Sequence, residues 1–214
     1  VARGRGLGVA PDPLRLTLAL DDAGAAWLGG AAVLWSAAGL HAAATLRKRD
    51  GTGRFAVWWL LTLTGSLGTF VVADLTSFYL AFSIASLAAF GLVTFEGTPE
   101  AARAGRVYMA LALVGEAFLL LGLVLLARGA PGGNPLITEA VAAMPAAPAL
   151  MLLVTGFALK MGLVPLHVWM PLAHPVAPMP ASAVLSGVIV KAGVIGLLRF
   201  LPLEAGAAGG GSAL

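Results

Sequence analysis

The chain has 214 residues, of which 59% are hydrophobic and 11% charged. Soluble domains carry about 25% charged residues, so this deficit, with a mean hydropathy of +0.94, excludes an ordinary soluble domain and points to a membrane protein. The formal net charge is only +3 and there is no cysteine, which excludes a disulfide framework, thiolate metal sites and thiol nucleophiles.

Residues 1–24 read as a lead-in, and residues 25–214 as an all-α integral membrane domain. Strand-period alternation occurs in "LRLTLALD", residues 14 to 21, which predicts a short extended segment. Six apolar segments follow, at about 25–46, 55–73, 75–95, 107–127, 149–172 and 181–201. About 20 helical residues cross a hydrocarbon core of roughly 30 Å. Inside lipid the backbone must satisfy its own hydrogen bonds, so each segment is predicted to be a transmembrane helix. The loop "RKRDGTGR" after the first segment holds Arg47, Lys48, Arg49 and Arg54, which makes it cytoplasmic. Arg103 and Arg106 then mark the loop before the fourth segment as cytoplasmic too, whereas the loop before the fifth has only Arg128. His41, near the basic end of the first segment, reads as interfacial. The chain starts with Val1 and ends in "EAGAAGGGSAL" just after an apolar run, so a piece of a longer membrane protein is expected.

Three ionisable residues fall in the middle of their segments: Glu116 in "VGEAFLLLG", Lys160 in "FALKMGLVP" and Lys191 in "SGVIVKAGVIG". A charge at the bilayer centre costs about 2.5–3.5 kcal/mol on insertion scales, so each implies a partner or a function. Desolvation disfavours a charged lysine, and a nearby carboxylate restores it. A lysine–carboxylate pair that changes its separation therefore captures or releases a proton. A static ion pair holding helices together is the competing reading for each.

Pro165 lacks an amide hydrogen and clashes with the preceding turn, and Gly162 lies nearby, so the fifth helix is expected to break just after Lys160. Interrupted membrane helices expose backbone groups to a cavity and mark ion sites. His167 and His174 follow the break and add groups that titrate near neutral pH. No third ligand at metal-binding spacing accompanies them, so no metal is expected. There is neither iron–sulfur ligation nor a GxGxxG loop, so no redox cofactor is expected in this chain. The basic residues form no stripe, so no nucleic-acid partner is expected.

The stretch "LKMGLVPLHVWMPLAHPVAPMPASAVLSGVIVKAGVIGLLRF", residues 159 to 200, resembles the signature of the proton-translocating antiporter-like membrane subunits. These occur in respiratory complex I (NADH:quinone oxidoreductase), in multisubunit cation/proton antiporters and in the membrane arms of related hydrogenases. "DLTSFYLAFSIASLAAFGLV" and "LTLALDDAGAAWLGGAAVLW" extend the resemblance upstream. The resemblance implies the front part of an inverted-repeat subunit of about fourteen helices, lacking the first two and the second half-repeat. It implies that Lys160 is the lysine on the broken helix, that Lys191 hands protons toward the second half-channel, and that His167 is the histidine after the break. The family usually places a glutamate on the third helix; here the pattern reads "YLAFSIAS", with Ser83 at that position and Glu116, one helix later, as the candidate replacement. The resemblance further implies other membrane subunits as partners in a lipid bilayer, a translocase that carries protons, with Na+ as the other candidate ion, and a bacterial inner membrane as its place. The alternative is a non-pumping structural subunit that anchors partner chains, which the serine at position 83 favours.

Overall fold

The computed structural model describes residues 7–8, 16–130, 134–143 and 147–201. Two short strands, β1 (Leu7–Gly8) and β2 (Thr17–Leu18), pair antiparallel with Leu7 opposite Leu18. β2 falls within the segment whose alternation predicted extended backbone. Helices α1 (Asp22–Leu46), α2 (Thr52–Val71), α3 (Leu75–Val93) and α4 (Pro99–Arg128) follow, then α5 (Ile137–Ala142) and α6 (Ala147–Met161). After a 3-10 turn at Leu166–Val168 come α7 (Trp169–Val176) and α8 (Met179–Val184). A π turn at Leu185–Ile189 leads into α9 (Val190–Phe200).

Four stretches among the described residues are long and apolar enough to cross a membrane: Leu75–Val93, Pro99–Arg128, Ala147–Val176 and Met179–Phe200. The sequence predicts six. α1 and α2 form where expected, 25 and 20 residues long; their Gly, Ser, Thr and Trp, with His41 in α1 and Arg54 in α2, offset the apolar residues and keep them out of that group of four. α2 places Thr62, Ser66 and Thr69 on its buried side. Each hydroxyl donates to a carbonyl of its own helix, at 2.7, 3.0 and 2.7 Å, so burial leaves no donor unpaired.

Helix starts follow local chemistry. Asp21, Asp74 and Thr98 cap α1, α3 and α4, each side chain accepting from the amide three residues on. α4 also has Pro at its first position, Glu100 in its first turn and Arg128 in its last, matching the helix dipole at both ends.

The strip 72–74 between α2 and α3 is clamped on both sides. Ala73 N–H donates to Thr17 on one side, and Ile137 N–H donates to the Ala73 carbonyl on the other, both at 2.8 Å. Asp74, 1% exposed, accepts from the Thr17 amide (2.9 Å), the Ser77 amide (2.8 Å) and the Asn134 side chain (2.8 Å). At the same end Arg199 of α9 grips the C-terminus of α2. Its guanidinium donates to the carbonyls of Thr69 (3.0 Å), Phe70 (2.7 Å) and Val72 (3.1 Å) and pairs with Asp21 (3.2 Å). A cation there satisfies orphan carbonyls and the negative end of the dipole.

Buried aromatic rings join α3, α6 and α9: Phe78–Phe200 centroids are 4.9 Å apart and Phe82–Phe157 5.7 Å apart, both edge-on. At the loop predicted to be cytoplasmic, Arg49 makes a two-pronged bond to Glu96 at 2.9 and 2.6 Å. That bond holds the Glu96 carboxyl below its ordinary range and the Arg49 guanidinium above its own. Because the Glu96 value is depressed in the folded state, the pair stabilises above the unfolded carboxylate pKa and is lost as pH falls through the folded value. The pair is solvent-exposed, so a Glu96→Gln variant is expected to show a small loss of thermal stability at neutral pH. That loss should vanish in high salt and at acid pH, as a melting series in detergent will show.

Candidate functional site

The site is built where α3, α4 and α6 meet. α4 and α6 approach closely at Gly156: a Cβ there would lie 2.6 Å from the Leu119 side chain and 3.0 Å from the Gly115 carbonyl. Only glycine permits this spacing, which brings Glu116 on α4 and Lys160 on α6 to one cavity. Phe82, Ser86, Tyr108, Gly115 and Trp169 share its lining. The cavity measures ≈ 10 Å³, which admits about one water molecule at most.

Lys160 is 7% exposed and Glu116 6%. The Lys160 ammonium donates to Ser86 Oγ at 2.9 Å and to the Tyr108 hydroxyl at 3.2 Å. It also lies 5.5 Å from the Tyr108 ring centroid and 5.8 Å from that of Phe82. Tyr108 in turn donates to the Ser86 carbonyl at 2.6 Å. The Glu116 carboxylate accepts from Ser83 Oγ at 2.5 Å. Lys160 and Glu116 form no ion pair within 4.0 Å. Each charge is instead held by a hydroxyl of α3, and the two hydroxyls stand one helical turn apart.

The helix break lies where the sequence predicts, but its maker is Gly162. α6 ends at Met161, and Gly162 adopts φ +67. Its amide donates to Leu159 (3.2 Å) and the Leu163 amide to Ala158 (3.0 Å), the paired bonds of a Schellman stop. Pro165 comes three residues later, beyond a helix already terminated. Lys160 therefore occupies the last turn of α6, near the middle of the composite span Ala147–Val176, where the helix dipole favours a cation. Trp169, 2% exposed, donates across the break to the Leu159 carbonyl at 2.9 Å, so the resumed chain is tied to the helix it left.

The other predicted residues lie outside this cavity. Lys191 is half-buried, just after the π turn, and its ammonium donates to the Ser186 carbonyl at 3.0 Å. His174 Nδ1 lies 3.0 Å from Ser182 Oγ, and its ring stacks on Trp169 with centroids 6.3 Å apart. His174, Ser182 and Ser186 line an open groove. His167 is exposed in the 3-10 turn. Ser86, Tyr108 and Trp169 are site residues that sequence reading misses. A signal exists for two of them: Ser86 lies one turn from Ser83 and Tyr108 two turns before Glu116, so each shares a helix face with a residue already singled out.

A bundle of apolar helices, one of them broken beside a buried lysine, defines a class, the helical integral membrane proteins. Residues 72–210 match the family described as NADH:quinone oxidoreductase/Mrp antiporter, TM, and the chain belongs to that family. Hydrogenase-4 component B of Escherichia coli strain K12 is 29% identical over 188 residues, covering 86% of this chain and 28% of that protein. NADH-quinone oxidoreductase subunit N of Desulforudis audaxviator is 30% identical over 210 residues, covering 93% of this chain and 41% of that protein. A chain in the structure of the membrane-bound sulfane sulfur reductase, an archaeal respiratory membrane complex, superposes with a TM-score of 0.77 over 89% of this chain and 40% of that one. Its identity of 24% supports the fold alone. The chain thus spans less than half the length of these relatives, which are parts of multisubunit membrane complexes.

Proposed function

We propose that this chain is part of a subunit that moves protons across a membrane within a larger redox-driven or cation/proton antiporter complex, in the cell membrane of a bacterium. In this reading Lys160 is the proton carrier and Glu116 its controlling acid. The break at Gly162 and Pro165 gives the site its access. His174, Lys191 and His167 continue the route. One observation carries the proposal: two opposite charges, each more than nine-tenths buried, line one water-sized cavity without closing into an ion pair. A static counter-ion pair gains most when it is closed and fully hydrogen-bonded. Charges held apart by hydroxyls gain less from each other and exchange partners more readily.

Glu116 takes over the duty of the glutamate that the family places at position 83. Its carboxylate lies against the Ser83 hydroxyl, so the acid reaches the same spot from the neighbouring helix. The test is a relocation. In the full complex reconstituted in proteoliposomes, Glu116→Gln is expected to lower proton flux by about 10²-fold. Adding Ser83→Glu to that variant is expected to restore most of it. Full flux in Glu116→Gln alone would assign the chain the anchoring role instead, with transport carried elsewhere.

A further inference from the structure

The hydroxyl of Ser86 stands out among the buried hydroxyls of the bundle. Those of Thr62, Ser66 and Thr69 are spent on carbonyls of their own helix, whereas Ser86 Oγ accepts from the Lys160 ammonium and does not bond back into α3. Accepting from Lys160 leaves its own hydrogen free to be donated. Ser83 and Ser86 stand one turn apart on α3: the Ser83 hydroxyl donates to the Glu116 carboxylate, and Ser86 lines the same small cavity as that glutamate and Lys160. Ser86 is 1% exposed, and the cavity it shares with Glu116 and Lys160 has no room for a chain of waters. Its backbone carbonyl is separately engaged by Tyr108, so the side chain can be changed while Tyr108 keeps its anchor.

We infer that the Ser86 side chain is the proton bridge between Lys160 and Glu116, an inference that rests on the function proposed above. The lysine Nζ–H bond breaks as its proton passes to Ser86 Oγ. The serine's own O–H proton leaves in the same movement to a Glu116 carboxylate oxygen, directly or through the single water that the cavity admits. The lysine ends as a neutral amine, the glutamate as a neutral acid and the serine unchanged, so protons and charge balance. The reverse step recharges both. Ser83, by contrast, is a positioning residue: it donates to Glu116, while the lysine bonds Ser86 and Tyr108 instead.

The experiment compares proton flux by the reconstituted complex carrying Ser86→Ala, Ser86→Thr or Lys160→Ala, at equal content of assembled complex and in both H2O and D2O. Ser86→Ala is expected to lose at least about tenfold in flux and to change the solvent isotope effect. Ser86→Thr, which keeps the hydroxyl, is expected to recover most of both. If the alanine variant does not assemble, Ser86→Cys replaces it, its thiol being a weak donor and acceptor in a similar volume. Normal flux in Ser86→Ala beside a dead Lys160→Ala overturns the bridge and leaves Lys160 as carrier. Equal loss in the alanine and threonine variants overturns it in favour of a packing role. Normal flux in Lys160→Ala overturns the parent reading itself.

Discussion

Lys160→Ala is expected to abolish coupled proton translocation, a loss of about 10²-fold or more, while the complex still assembles. The ammonium is the only group at the cavity that bonds both Ser86 Oγ and the Tyr108 hydroxyl. Removing it leaves two hydroxyls and a carboxylate with no cation to exchange a proton with. The alanine also frees space beside Phe82 and Tyr108, which water can fill, so a slow uncoupled leak is the residual activity to look for. Lys160→Arg is expected to fail as well, for the opposite reason. A guanidinium keeps its proton under all physiological conditions, and its planar fork does not fit the site made for an ammonium. The measurement is dye-reported acidification of proteoliposomes driven by the complex's own reaction. Normal coupled pumping by either variant would refute the role given to Lys160.

The second large effect concerns integrity. Asp74→Ala is expected to destabilise the bundle by more than about 3 kcal/mol, since each buried donor left without a partner costs about 1–3 kcal/mol. Two backbone donors lose their acceptor at once, the Thr17 and Ser77 amides, and the Asn134 side chain loses one of its bonds. The cap of α3 goes with them. Asp74→Asn keeps the shape but replaces one carboxylate oxygen by a donor that faces another donor, so its loss is expected to be intermediate. Thermal melting in detergent, together with protease cleavage near residue 17, reads both. An Asp74→Ala protein as stable as the parent would mean that the clasp at strip 72–74 adds little.

Much of the site was written in the sequence, and what was missing shares one cause. Glu116 and Lys160 stand out because a charge within an apolar run is expensive wherever it lies, so their importance needs no knowledge of neighbours. The break at Gly162 and Pro165 is legible because glycine and proline act locally, and of the two it is Gly162, with its positive φ, that does the stopping. The hydroxyl partners were not legible. Ser86 meets Lys160 across 74 residues of chain and Tyr108 meets it across 52, and neither residue type is unusual in a membrane helix. Ser83 could be read only as a departure from a family pattern. Its bond to Glu116, 33 residues away, joins two helices and could not be read from either one alone. The difference between six expected spans and four lies in α1 and α2, whose length matches the expectation while Gly, Ser, Thr and Trp are frequent along them.

The grip of Arg199 on α2 has a consequence for how the protein is made. Its partners lie 127 to 178 residues earlier in the chain. At ribosomal rates of about 5–20 residues per second, α2 emerges on the order of 10 s before the arginine that will hold its end. Through that interval its terminal carbonyls depend on water or translocon contacts. The α1–α2 hairpin is therefore left unlatched and fastened only when the last described helix arrives. A nascent chain stalled short of residue 199 presents an open seam to quality-control proteases, and one that has passed it does not.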